Sequence, residues 1–392
     1  MSQPFSGVRV LDLTHVLAGP FCSWQFALLG ADVIKVEDPA QPDCARGRGP
    51  DKDDNASGLG LNYQVQGTNK RAVAINLKSQ AGREIFSALV ATADVLVENY
   101  RTGALAALGL GYDDLKVANP GLVYCSITGF GDVGIRAEVN AYDNTIQAAS
   151  GVIAQSGGHK PGLSFIDYSA GYSAAFAVSA ALFRREREGH GTHITCSMYE
   201  TALMLMAPEV AAEKRPRQFT RTKEPGISAY ATADGTLMLG AFTPSQNQRL
   251  WNLLAQLGYD AQDFAQTADW PALWRKASRA KEALTAIFER ETASHWEGLL
   301  RDAGLPAERV RTLREAVADP QLEARGFFAP EPSRHPGQHR YPLPVGAFRF
   351  SEDGPSIVTA APRVGEHTDA VLGELGMDAR TIADLRRREI VQ

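Results

Sequence analysis

The first 200 residues alternate between short apolar runs and helical stretches, and that alternation narrows the folds open to the chain. Val8 to Leu13, Asp32 to Glu37, Ala72 to Leu77, Asp94 to Glu98 and Leu122 to Ile127 read as strands. Gly19 to Leu29, closed by Gly30, and Ala81 to Val90 and Tyr112 to Ala118 read as helices between them. Short, nearly continuous apolar strands separated by helices predict a parallel sheet covered on both faces, hence an α/β fold. A Pro/Gly/Asp-rich insertion from Asp38 to Lys70 interrupts the pattern. A loop of that length in a compact domain is usually functional or mobile. A strand at Thr192 to Met198 and a helical stretch over 199–212 close this first region.

The region 1–213 is thus expected to form one large domain, followed by an Arg/Lys/Pro-rich linker over 214–225. A smaller α+β domain is expected over 226–330. It opens on an Asp234-Gly235 hairpin signal and continues with three or four amphipathic helices between 245 and 325. Residues 331–392 hold a strand-like run from Arg340 to Phe350 and helices at Thr368–Leu375 and Ala379–Arg388.

Several function classes are disfavoured. The net charge of −5 offers no broad basic field for nucleic acid, so any anionic ligand needs a local cluster of cations and backbone N–H groups. Cys22, Cys44, Cys125 and Cys196 are far apart with no C-x-x-C pair, which argues against a disulfide framework or zinc site and suits a reducing compartment. The start carries no signal-peptide pattern, and no apolar run is long enough to span a membrane. A cytoplasmic protein with no membrane contact is expected. The close histidine pairs, His190/His193 and His335/His339, sit in turn-like sequence, so no metal is expected. Leu108-Gly109-Leu110-Gly111-Tyr112 lacks the third glycine of a dinucleotide fingerprint and follows a helix, so no nicotinamide cofactor is expected. There is neither a phosphate-binding P-loop motif nor a G-x-S-x-G elbow.

What remains is a lone acid. Asp167 stands in Ser164-Phe165-Ile166-Asp167-Tyr168-Ser169-Ala170-Gly171, ahead of a helix of small residues running to about Arg185. Two readings are compatible. Asp is a preferred helix N-cap. An ionised carboxylate is also a nucleophile able to hold an acyl group covalently. Ala18-Gly19-Pro20, directly after the first strand, is a suitable place for a helix N-terminus facing an anion.

Several runs stand out by their order and spacing. They are Gly7 to Thr14 with Ala18-Gly19-Pro20, then Leu29 to Glu37, Asn69-Lys70-Arg71 and Ala93 to Tyr100. Tyr142-Asp143 with Gln147, Ser150-Gly151 and Gly365-Glu366-His367-Thr368 follow. In these runs the chain resembles the family III CoA-transferases, the group that includes formyl-CoA transferase, carnitine CoA-transferase and α-methylacyl-CoA racemase. The resemblance implies a Rossmann-like large domain built from both chain ends, with 331–392 returning to it, and a homodimer of interlocked rings. It implies acyl-CoA and a small carboxylic acid as substrates, with Asp167 as nucleophile through an aspartyl anhydride and an aspartyl-CoA thioester. By the same resemblance Val16, Leu17, Ala18, Ile75, Lys78, Asn99, Tyr100 and Arg101 line the CoA pocket, and Tyr142 and Asp143 lie near the thioester.

Departures from the family pattern sharpen the expectation. Asp38 and Ala107 stand where many members carry arginine, leaving Arg46, Arg48 and Arg101 as replacements. No glycine-rich loop marks the small domain, which argues against an oxalate/formate specialist. Arg48 aligns with a pocket aromatic and is the candidate to grip the second carboxylate of a dicarboxylic acid. The alternatives are a 2-methylacyl-CoA racemase, opposed by Tyr142 where racemases carry histidine, and a CoA-binding protein without turnover.

Overall fold

A computed structural model describes residues 3–215, 224–266, 269–330, 332 and 341–392. Most of the expected 214–225 linker, and the His335/His339 pair, lie outside the described residues.

Six strands form one sheet: β1 (Arg9–Leu13), β2 (Asp32–Glu37), β3 (Lys70–Ala74), β4 (Val95–Glu98), β5 (Val123–Thr128) and β6 (Thr192–Ser197). Every pairing is parallel and the spatial order is β3-β2-β1-β4-β5-β6. This is the doubly wound, Rossmann-like order. The chain winds outward from β1 to β3, then crosses back to β4 and winds the other way. The carboxyl ends of β1 and β4 therefore diverge and leave a crevice between them.

Alternate residues along each strand feed opposite faces. Val10, Val33, Val95, Val97 and Cys125 pack on one side against helices Ala18–Leu28 and Phe165–Glu188. Leu11, Ile34, Val73, Leu96 and Tyr124 pack on the other, against helices Gln80–Val90, Thr368–Glu374 and Ala379–Arg387. The small residues of the 165–188 helix permit close packing. At Gly171 an added Cβ would come within 2.7 Å of the Ala18 carbonyl oxygen.

Two compact units result: Met1–Ala211 with Glu323–Gln392, and Ala212–Leu322. The second is a three-stranded antiparallel sheet (Ala229–Ala231, Thr236–Leu239, Ala307–Arg309). Helices Pro244–Gln256, Trp270–Phe288 and Ala293–Asp302 accompany it, and Trp251, Phe288 and Trp296 fill its core. The last of its strands falls where the sequence pattern suggested only helices.

The 38–70 insertion contains short helices at Lys52–Ala56 and Leu61–Gly67 and a 3-10 turn at Cys44–Gly47. Two further expectations need correcting. Of the run from Arg340 to Phe350, in which Arg340 lies outside the described residues, only Pro342–Pro344 is a strand among the described residues, paired with Phe328–Pro330. The helix bearing Asp167 starts earlier and ends later than expected, and Asp167 is not its N-cap. Phe165 is the first helical residue, which puts Asp167 in the first turn. Among the described residues, no helix is long and apolar enough to cross a membrane.

Candidate active site

A cavity of about 290 Å³ opens at the crevice between β1 and β4. Its walls are the loops His15–Ala18 after β1 and Asn99–Thr102 after β4. Ile127–Gly129 at the end of β5, the segment Ala137–Tyr142, Met198 and Asp167 complete it. Ligands of open α/β sheets characteristically bind at this topological position.

The β1 loop is held in a costly shape. Val16 has φ 71, the left-handed region that a β-branched side chain disfavours. Such a residue costs about 1–3 kcal/mol and persists only where its surroundings over-determine it. Here they do. The Asn99 side chain accepts the His15 N–H at 2.8 Å and donates to the His15 carbonyl at 2.8 Å. Asp43 accepts the Val16 N–H at 3.0 Å and forms a buried ion pair with Lys35 at 3.1 Å. Lys35 in turn donates to the Thr14 carbonyl at 2.8 Å. The strained turn delivers the chain into the 18–28 helix, whose first residue, Ala18, lines the cavity.

Asp167 also lines the cavity, on the helix that packs against the 18–28 helix. The cap position of its helix is occupied by Ser164, whose side chain makes no capping bond. Asp143, the first residue of helix Asp143–Ala149, supplies that acceptor instead. One of its oxygens takes the N–H groups of Ile166 at 2.9 Å and Asp167 at 3.2 Å. The other receives Gln147, which also donates to the Leu163 carbonyl at 3.1 Å. Among the described residues, no hydrogen bond or ion pair engages the Asp167 carboxylate itself. Burial, reinforced by the nearby Asp143 charge, pushes its pKa up to about 7. It is therefore a partly ionised, uncommitted carboxylate facing a cavity near neutral pH.

The profile of CoA-transferase family III matches residues 5–368. The chain belongs to this family. It is 34% identical to a succinate–glutarate CoA-transferase of Agrobacterium fabrum, covering 96% of this chain and 97% of that one. It is 30% identical to a formyl-CoA:oxalate CoA-transferase of Escherichia coli over the whole of both chains. Among solved structures, it resembles a CaiB/BaiF family protein from Brucella suis, with TM-score 0.79 and 29% identity over 96% of this chain and 100% of that one. A Mycobacterium tuberculosis protein gives TM-score 0.81 and 27% identity, over 94% and 99% of the two chains.

The transferase brings together at one cavity Val16, Leu17, Ala18, Asn99, Tyr100, Arg101, Tyr142 and Asp167, all of which the sequence singled out. It does not bring four others there. Ile75 is fully buried in the core on the far face of the sheet, its N–H bonded to the Glu37 carbonyl. Lys78 is exposed and paired with Asp38 at 3.3 Å. Asp143 does not line the cavity and is 4% exposed, with one oxygen on the helix terminus and the other on Gln147. Arg48 is exposed and does not line the cavity. Arg46, considered as a CoA contact, is committed elsewhere. It binds both Glu37 oxygens, at 2.8 and 2.5 Å, and sits 3.8 Å from the Tyr63 ring centre. It also donates to the Pro362 carbonyl at 3.0 Å and is buried, which leaves it no free face for a phosphate.

Several cavity residues went unnoticed, His15 the most polar of those on the β1 loop. His15 lines the wall with Nε2 3.3 Å from the Tyr100 hydroxyl, and burial pushes its pKa down. The available signal was its place in the turn between a strand and Ala18-Gly19-Pro20. Among the described residues, no cluster of three or more His, Cys, Asp or Glu side chains is arranged to hold a metal ion.

Proposed function

We propose that this transferase moves CoA from an acyl-CoA to a small carboxylic acid, with Asp167 as the covalent carrier. The observation that carries the reading is the uncommitted Asp167 carboxylate facing a cavity between the β1 and β4 loops. Its oxygen attacks the thioester carbon, the C–S bond breaks, and CoA thiolate leaves an acyl–aspartyl anhydride. The thiolate attacks the aspartyl carbonyl, releasing the donor acid and forming aspartyl-CoA. The acceptor carboxylate then attacks that thioester and the thiolate finishes on the acceptor acyl carbon. Asp167 returns as a carboxylate with no net proton change. Each addition places negative charge on a carbonyl oxygen, and the N-terminal turn of the 18–28 helix is the proposed donor set for it.

Relatives named for succinate, glutarate and oxalate support a small dicarboxylate acceptor, with glutarate the first to try. Its distal carboxylate needs a cation. Arg101 is the one lysine or arginine lining the cavity among the described residues. Arg48 is the candidate from the sequence. If Arg101 serves, Arg101→Ala raises the glutarate KM about tenfold or more and Arg48→Ala leaves it unchanged. The reverse result assigns the contact to Arg48.

The same reading includes a cytoplasmic homodimer of interlocked rings. Exposed apolar residues along the 165–188 helix, Tyr172 at 42%, Phe176 at 78% and Phe183 at 69%, support a protein-covered face. Light scattering on the purified protein tests it, and a monomer at micromolar concentration contradicts it.

The chemistry is tested by incubating the enzyme with succinyl-CoA and hydroxylamine. Hydroxylamine displaces CoA or the acyl group from an activated aspartyl carbonyl, leaving a hydroxamate that peptide mass spectrometry locates. A CoA-dependent hydroxamate at Asp167 is expected, and an unlabelled Asp167 during turnover sinks the mechanism. Running the enzyme in deuterated water without acceptor separates racemisation, which alone exchanges the α-hydrogen of a 2-methylacyl-CoA.

Activity depends on ionised Asp167, so kcat/KM is expected to rise with pH around a midpoint near 7. Asp143→Asn keeps an oxygen for the helix N–H groups but removes the neighbouring charge. Its midpoint is expected lower, with burial, the larger cause, still holding it above the ordinary range. A profile unmoved by Asp143→Asn contradicts that coupling.

A further inference from the structure

A second cavity, of about 280 Å³, lies over one sheet face, from the carboxyl end of β4 across β5 to the start of β6, and shares Arg101, Thr102 and Thr128 with the first. Three polar side chains run along its sheet face. Glu98 and Ser126 are register partners on β4 and β5, and His193 lies on β6 opposite Tyr124. Residues 124 and 126 point to one side of a pleated strand, so the three form a row. Ser126 Oγ is 3.0 Å from His193 Nε2, and Ser126 lies beside Glu98 across the strand pair, where it tempers a carboxyl pKa that burial raises. The imidazole is held by Tyr112, stacked at 5.3 Å, and by the edge of Tyr124 at 5.2 Å.

The far end of this row reaches the first cavity only through backbone. Glu98 is 7% exposed and does not line that cavity. Its Oε2 accepts the Tyr100 N–H at 2.8 Å. Tyr100 then meets His15, and Asn99 brackets the His15 main chain. The loop after β4 is thus tied to its own strand end by Glu98 and to the β1 loop by Asn99.

We propose that Glu98, oriented by Ser126 and His193, is a positioning residue for acyl-CoA binding: it sets the Asn99–Tyr100–Arg101 loop through the Tyr100 N–H and takes no part in the chemistry. This rests on the reading that the first cavity receives the CoA thioester. A charge-assisted bond to a buried backbone donor is strong, and leaving that donor unpaired is costly. Burial pushes the Glu98 pKa up to about 7, so the group stays an acceptor in either protonation state.

The test measures free-CoA affinity by calorimetry, alongside KM and kcat, for wild type, Glu98→Ala, Glu98→Gln and Ser126→Ala. Glu98→Ala is expected to raise the CoA Kd and the acyl-CoA KM on the order of tenfold, with kcat unchanged. Glu98→Gln keeps an oxygen for Tyr100 and should restore affinity to within about threefold of wild type. A folded Glu98→Ala protein with wild-type CoA affinity, or one that loses kcat at unchanged KM, overturns the proposal. If Glu98→Ala does not fold, Ser126→Ala decides: a weaker CoA Kd supports the proposal and an unchanged one overturns it. Wild-type protein that binds no CoA at all overturns the functional reading itself.

Discussion

Asp167→Asn is expected to reduce CoA transfer by on the order of 10⁴-fold or more while leaving CoA bound and the protein more stable than wild type. Asparagine matches the shape of the carboxylic acid but offers no anionic oxygen, so neither anhydride nor thioester can form. The stability gain follows from the pKa of about 7. An aspartate binds its proton more tightly in the folded chain than in the unfolded chain, where its ordinary value is 3.8. Stability from this group is therefore greatest below about pH 4 and falls as pH rises through about 7. The carboxylate is partly open to the cavity, so solvent reduces the penalty, and about 1–3 kcal/mol at pH 8 is a reasonable scale. Urea unfolding at pH 5 and pH 8 reads it directly. The variant should exceed wild type by a larger margin at pH 8. Equal stability at both pH values, or a variant that still transfers CoA, would remove Asp167 from the centre of the mechanism.

Lys70→Met is expected to destabilise the protein by about 3–5 kcal/mol, the scale for stranding one member of a buried ion pair. Asp12 is fully buried beneath the β1 turn. It receives Lys70 at 2.8 Å, the Ser23 hydroxyl at 2.8 Å and the Thr14 N–H at 3.1 Å. Burial alone would raise its pKa, but Lys70 and Lys35 hold it well below the ordinary carboxylate range. Lys70 also donates to the Pro20 carbonyl at 2.9 Å and to Ser23 at 2.9 Å, tying β3 to the 18–28 helix. Methionine fills the stem volume and leaves a charged Asp12 with one cation fewer. The double variant Asp12→Leu with Lys70→Met removes both charges and should recover a substantial part of the loss. Urea midpoints with unchanged m-values measure both. If Lys70→Met costs under about 1 kcal/mol, the pair does not organise this end of the sheet.

The two residues illustrate different kinds of legibility. Lys70 stands in Asn69-Lys70-Arg71, a run that the sequence marks but cannot explain. Its length and charge suggest a surface group, yet the structure buries it fully, because Asp12 and Ser23, 58 and 47 positions away, complete its coordination. Arg46 follows the same logic. In a Gly/Pro-rich insertion it reads as a free cation, but Glu37 and Tyr63 enclose it. Long-range pairing decides whether a loop cation is a ligand contact or an internal strut, and pairing carries no local pattern.

Asp167 was visible as an acid isolated among small residues. Its expected cap role went to Asp143, because helix ends are satisfied by whichever acceptor the tertiary fold delivers. A residue 24 positions earlier delivers it here. His15 was hidden for a related reason, since its value comes from Asn99 and Tyr100 on a neighbouring strand loop.

Strand–helix alternation alone determined the parallel α/β sheet, since apolar period and length are local properties of the chain. The family resemblance marked most of the β1 and β4 loop residues that share one wall of the cavity. Only the tertiary structure decided which charges face the cavity and which are spent inside the sheet. It also decided that Asp167 is buried beside a second carboxylate, and burial, reinforced by that charge, moves its titration to near neutral pH. Those outcomes depend on burial and on partners far apart in sequence, and a carboxylate's pKa is set by the solvent and charge it meets in space.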